Sequence, residues 1–188
     1  MAKTNDELLA ILSQFALEEK VVSAEPFGNG HINDTLKVTT DKGEIKYVLQ
    51  RINHLVFTNV EMLQHNIHVV TTHIREKLEA KGETDIDRKV LTFLPTKDGK
   101  YYYFDGDSYW RVCLFIPRSK SYEEVTPELS YEAGKAFGDF QLMLSDLPEG
   151  SLGETIPNFH NMEFRLQQFH EAVEANAAGR LEEVKDLP

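Results

Sequence analysis

A glycine-rich turn, Phe27-Gly28-Asn29-Gly30-His31-Ile32-Asn33-Asp34, constrains this chain more than any other segment. It lies between two runs that read as strands, Val21–Phe27 and Thr35–Thr40. Glycines at this spacing let a backbone come close to a ligand, and phosphate is the usual ligand of such loops. The flanks narrow the choice. A dinucleotide-binding turn would have to open a helix here, and a Walker A loop would end in Gly-Lys-Ser or Gly-Lys-Thr. Neither condition is met. Two readings stand: a plain hairpin turn, which Gly-Asn-Gly also makes, and a lid between two strands.

The 188 residues are 41% hydrophobic and 27% charged, a composition that suits one globular domain or a small lobe with part of a second. A formal net charge of −11 argues against non-specific binding to nucleic acid or to an anionic membrane, since both rely on basic surface. Cys113 is the single cysteine, so no internal disulfide can form, and its apolar neighbours Val112 and Leu114 predict burial. No apolar run is long enough for a transmembrane helix, and Asn5–Lys20 is too interrupted by charge for a signal peptide. The expected compartment is the cytoplasm.

Thr4-x-x-Glu7 has the form of a capping box, and Leu8, Leu9, Leu12, Phe15 and Ala16 follow on one helical face. After the two strands around the glycine turn, Asp41-Lys42-Gly43 leads into a third, Ile45–Ile52. A long helix is predicted from Asn59 to Ala80, with Val60, Leu63, Ile67, Val70, Ile74 and Leu78 on one stripe. A meander of Val90–Leu94, Lys100–Phe104 and Ser108–Ile116 comes next and ends at Pro117. Helices follow over Pro127–Leu144 and from Asn161 to about Ala178, with Gly179 as the stop and then a charged stretch with no further turn or strand before Pro188. The expected class is α+β: an antiparallel sheet with one long helix packed on it, then a helical segment.

This order matches the N-terminal lobe of a protein-kinase-like phosphotransferase, which needs a glycine lid, a cation on the third strand, a partner on the helix and a backbone hinge. Phosphoryl transfer is mostly positioning and charge neutralisation, so backbone N–H groups and a fixed cation must hold the triphosphate. Gly28, Asn29, Gly30, His31, Ile32 and Asn33 form the candidate lid, with Asn33 where a third glycine is often found. On the third strand the lysine's place falls to Gln50, beside Val48 on the cleft face. Arg51 would point away unless a bulge rotates the strand. Glu61, Gln64 and Asn66 are the polar groups on the helix that could partner the site, Asn66 suiting a neutral Gln50 best. Phe115 and Ile116, just before Pro117, are the hinge candidates for apolar walls around a base. Glu61, His65 and His68 also share a helical face at metal-ligand spacing, although scattered histidines on a polar face are usually solvated.

The segments Phe27–Thr35, Tyr47–Asn53, Asn66-Ile67 and Val70-Thr71 together resemble the aminoglycoside phosphotransferase/choline kinase-like superfamily, and most of all its N-acetylhexosamine 1-kinase group. Trp110-Arg111, Gly134-x-x-Phe137-Gly138-x-Phe140-Gln141 and Glu154–Asn161 with Arg165 extend the resemblance over nearly the whole chain. It implies an ATP-binding lobe over 1–117 and, over 118–188, a connector with the first helices of a truncated helical C-terminal lobe. It also implies ATP and Mg2+ as cofactors and an amino-sugar such as an N-acetylhexosamine as substrate. The family's catalytic aspartate and magnesium-binding aspartate would fall beyond Pro188. No catalytic residue or metal ligand is therefore expected in this chain, which alone should bind nucleotide weakly at best and transfer nothing. The other expectation is a non-catalytic nucleotide- or protein-binding module that borrows such a lobe.

Overall fold

The computed structural model describes residues 3–28, 30–122 and 124–185. They form an α+β chain in two compact units, 1–155 and 156–188. The division comes later than the end of the sheet, so the helix over Pro127–Leu144 belongs to the first unit.

Helix α1 (Asn5–Leu12) opens on the expected capping box: the Glu7 N–H donates to the Thr4 hydroxyl at 3.3 Å, and the Thr4 N–H donates to the Glu7 carboxylate at 2.7 Å. Strands β1 (Val21–Pro26), β2 (Asp34–Thr40) and β3 (Ile45–Ile52) then run antiparallel. β1 is the edge strand of the sheet, so every second residue turns its backbone groups away from β2, and Asn5 takes up two of them. Its side chain accepts from the Ala24 N–H at 3.2 Å and donates to the Val22 carbonyl at 3.3 Å. In this way the start of α1 is fixed to the edge of the sheet.

The remaining strands are shorter than the sequence predicts, and they do not form a meander in chain order. Only Phe93–Leu94 (β4) and Tyr103–Phe104 (β5) pair, both with β6 (Tyr109–Leu114), which itself pairs with β3. The sheet order is β1-β2-β3-β6-β4, with β5 also on β6. Part of the predicted fourth strand is preceded by a 3-10 turn at Ile86–Arg88, with Asp85 left-handed at φ 55°.

A sheet this small buries one face well. Leu8, Ile11, Leu12 and Phe15 pack with Ala24, Leu36, Val38, Tyr47, Leu49, Trp110 and Val112 in a single core. The helix that closes this core is therefore α1. The long helix α2 (Val60–Ala80), which the sequence reading set on the sheet, builds a separate cluster: its Ile74 and Leu78 meet Val90, with Ile86, Met143 and Leu144 packed around them. Asn59 caps α2 by accepting from the Met62 N–H at 2.9 Å.

Helix α3 spans Pro127–Leu144 as expected, but it buries no residue fully, and Tyr131 and Phe137 stand largely exposed. In the second unit α4 runs Met162–Ala175, capped by Asn161. It closes at Asn176, left-handed at φ 39°, three residues before the glycine expected to stop it. A one-turn helix α5 (Leu181–Val184) follows in the charged stretch.

Because Leu12 is wholly buried between α1 and the sheet, Leu12→Ala should destabilise the fold by about 2–5 kcal/mol through lost burial and a residual cavity. Urea unfolding measures this, and a loss below about 1 kcal/mol would mean that α1 is not part of the main core.

Candidate functional site

The two-residue period of a strand sorts the sheet's side chains onto two faces. Leu36, Val38, Tyr47, Leu49, Trp110 and Val112 face α1. Their neighbours Thr35, Val48, Gln50, Arg111 and Cys113 occupy the opposite, open face.

On that open face one row crosses the sheet in register. The Phe27 N–H donates to the Thr35 carbonyl at 2.8 Å, Thr35 lies opposite Gln50, and Gln50 lies opposite Arg111. Side chains continue the row: the Gln50 amide donates to the Thr35 hydroxyl at 3.0 Å, and its carbonyl oxygen accepts from Arg111 Nε at 2.9 Å. The Arg111 guanidinium also sits over the Phe93 ring at 5.3 Å. Its Nη1 is buried without a partner among the described residues. Burial lowers the Arg111 pKa, while in the next row it pushes the Cys113 thiol up to about 11. Cys113 is accordingly a poor nucleophile.

At the lid, Gly28 needs the left-handed backbone that glycine allows, at φ 80°. Gly30 does not, but a Cβ there would meet the Asn33 carbonyl at 3.3 Å. Asn33 takes no positive φ. Its side chain accepts from the Asn53 N–H at 2.9 Å and so ties the end of the lid to the end of β3. His31 and Ile32 are exposed at the tip, and Asn29 lies outside the described residues. The Phe27 ring reaches across the open face to meet Phe115 edge-on, with centroids 5.8 Å apart. At the hinge candidate, the Phe115 N–H is committed to the Lys46 carbonyl at 2.9 Å and Pro117 has no N–H, which leaves the Ile116 N–H as the donor.

The sequence-predicted residues are thus divided. Phe115, Val48 and Gln50 share the open face, while Arg51 does not join them. No bulge interrupts β3 between Tyr47 and Ile52, and Arg51 Nε donates to Asp34 at 2.6 Å on the other side. Asn66 is engaged elsewhere, in two hydrogen bonds with the Gly153 backbone at 2.6 and 3.0 Å, so it is no partner for Gln50. Glu61 is exposed and lines a shallow cavity of about 440 Å³ with His65 and Ser151. Gln64 is the buried polar residue of α2, and neither of its amide atoms has a partner among the described residues. His65 contacts the Ser151 carbonyl and His68 stacks on Tyr101, so the Glu61, His65, His68 trio does not converge. No group of three or more metal-ligating side chains is gathered among the described residues.

A larger cavity of about 700 Å³ lies on the α1 side, where Gly28, Gly30, Asn33 and Arg51 meet Leu36 and Trp110. Its polar end is a knot around Asp105 that sequence reasoning missed, because its contacts are set by the β5–β6 turn. Asp105 accepts from the Ser108 N–H at 2.8 Å, the Asp107 N–H at 2.9 Å, Trp110 Nε1 at 2.8 Å and Lys3 Nζ at 2.9 Å. Burial alone would raise its pKa, but these donors outweigh it and hold the carboxyl far below the ordinary range. Arg111 as the inward cation was equally missed; the alternation Trp110-Arg111-Val112 carries the signal once the register against Gln50 is known.

No known family model matches the chain. No helix of the described residues is long and apolar enough to cross a membrane.

A depressed folded-state pKa gives stability that is present above the unfolded value of about 3.9 and lost as pH falls toward the folded one. Asp105→Asn should therefore cost about 1–3 kcal/mol at neutral pH and flatten the acid limb of a pH–stability profile below pH 4. An unchanged acid limb would show that Asp105 carries none of it.

Proposed function

We propose that this chain is the nucleotide-holding lobe of an ATP-dependent phosphotransferase related to the aminoglycoside phosphotransferase/choline kinase-like superfamily. The observation that carries the reading is the meeting of Phe27 and Phe115 across the sheet face that bears Val48. Phe27 of the glycine turn and Phe115 at the end of the last strand meet there, and Val48 of the third strand lies on the same face. A planar base suits two aromatic rings and a valine, and the Ile116 N–H offers an in-plane donor at its edge.

The residues fit ATP. Phe27, Val48, Phe115 and Ile116 would hold the base, and the loop through Gly28 and Gly30, which also borders the α1-side cavity, would close over the phosphates with its other edge. Asn33 fixes the end of the lid through Asn53, so lid and third strand keep one spacing. Thr35 and Gln50 line the floor between base and phosphate ends. When bound, ATP supplies the transferable phosphoryl group. The chain's own contribution is to orient it and keep water off the base side. No side chain here is assigned to magnesium or to proton transfer. The acceptor class, a sugar hydroxyl such as that of an N-acetylhexosamine, rests on the sequence resemblance.

Calorimetric titration tests the reading. ATP should bind, and adenosine should bind more weakly at the same site. Phe115→Ala should weaken both at least about tenfold, equal to about 1.4 kcal/mol. Gly30→Val should weaken ATP more than adenosine, because the added side chain crowds the Asn33 carbonyl and the phosphate-facing backbone. Failure of both ligands to bind the wild-type chain would refute the proposal, and unchanged affinity in Gly30→Val would make the loop a mere hairpin.

A further inference from the structure

We propose that Arg111 is the phosphate-binding cation of the open sheet face, the role for which Gln50 has no charge, and that Gln50 positions it. This rests on the nucleotide-holding reading above. A guanidinium has five N–H donors and stays charged at any physiological pH. Its buried Nη1 calls for an acceptor, and an anion is the strongest one. Among the described residues no carboxylate pairs with Arg111: Gln50 takes Nε, the Phe93 ring covers one face of the guanidinium, and Nη1 is buried with nothing to donate to. A purely structural arginine would have been cheaper to bury as methionine or leucine, which keep the volume without the charge.

The row also places this cation where phosphate is expected. Arg111 stands two strands from Thr35, which puts their backbones about 10 Å apart, and Thr35 lies one residue past the Asn33-Asp34 end of the lid. The Gln50 amide fixes the order of the row. Its NH2 is spent on the Thr35 hydroxyl, so its carbonyl must turn to Arg111, and the guanidinium is held in a single orientation. The other cations are committed: Lys37, opposite Val48 on the same face, is paired with Glu25 at 3.5 Å, and Arg51 is paired with Asp34 behind it. A lysine on β3 would be flexible and would have to be held by an acidic partner. An arginine on the neighbouring strand, held by a neutral glutamine, presents a planar fork without adding a competing negative charge.

Two substitutions separate this assignment from a structural role. Arg111→Met keeps the volume and removes the charge. Gln50→Glu keeps Arg111 in place but sets a carboxylate against its Nε, which neutralises it from within. Thermal unfolding and titration with sodium pyrophosphate, ATP and adenosine read out both. Pyrophosphate should raise the wild-type melting temperature, and its affinity should fall at least tenfold in both variants. ATP affinity should fall in parallel, while adenosine affinity stays within twofold. Without ligand, Gln50→Glu should melt at or above the wild-type temperature, because the buried cation gains its counter-charge. Should Arg111→Met fail to fold, Gln50→Glu alone decides the matter. Equal pyrophosphate affinity in wild type and Gln50→Glu overturns the assignment, as does a wild type that binds adenosine but not pyrophosphate. If neither ATP nor adenosine binds, it is the nucleotide reading itself that fails.

Discussion

The packing of α1 on one face of the sheet is the constraint on which the rest depends. Leu8, Ile11, Leu12 and Phe15 claim every second residue of the central strands, so Tyr47, Leu49 and Val112 are committed to the core. The residues between them have no choice but to face the other way. Strand geometry then does what no single contact could: it aligns Thr35, Gln50 and Arg111 in one row and sets Val48 beside Cys113 in the next. A slip of one residue in β3 would exchange the two sets and bury Gln50 in place of Leu49, which is why the core fixes the register so firmly.

The same alternation separates two arginines that are close in the structure. Arg51 lies opposite Trp110, and its charge is met by Asp34 at the exposed end of β2. Arg111 lies opposite Gln50, and no anion among the described residues meets its charge. Exposed pairs such as the first contribute little to stability, whereas a buried cation held by neutral partners carries a standing desolvation cost. That cost is compatible with a site whose counter-ion arrives with a ligand. The two ends of the glycine turn are restrained: Asn33 is anchored to Asn53, and the Phe27 ring meets Phe115 edge-on.

Much of this fold was legible in the sequence where local chemistry dictates it. The Thr4-x-x-Glu7 box, the hairpin through Gly43, the strand Ile45–Ile52 and the caps at Asn59 and Asn161 all depend on neighbours a few residues away. What was not legible depends on contacts across long separations. Nothing in the apolar stripe of α2 says whether it meets the sheet or the end of α3, and the short α1 took the larger share of the core. The ends of β4 and β5 were overrun because Val90 and Tyr101 carry strand-like side chains, yet β6 pairs only Phe93–Leu94 and Tyr103–Phe104. At the site, the composition of the lid and the outward turn of Arg51 followed from spacing. The partner of Asn66 lies 87 residues away in Gly153, and that of Gln50 lies 61 away in Arg111, distances over which spacing carries no information.

The central claim is that ligand lies on the sheet face opposite α1. Methyl-resolved NMR during an ATP titration tests it most directly, because Val48 and Leu49 are adjacent in the chain and report opposite faces. Nucleotide on that face should give large shifts at the Val48 and Ile116 methyls and small ones at Leu36, Leu49 and Val112. Shifts concentrated at Leu8, Leu36 and Val112, or none at saturating ATP, would contradict it.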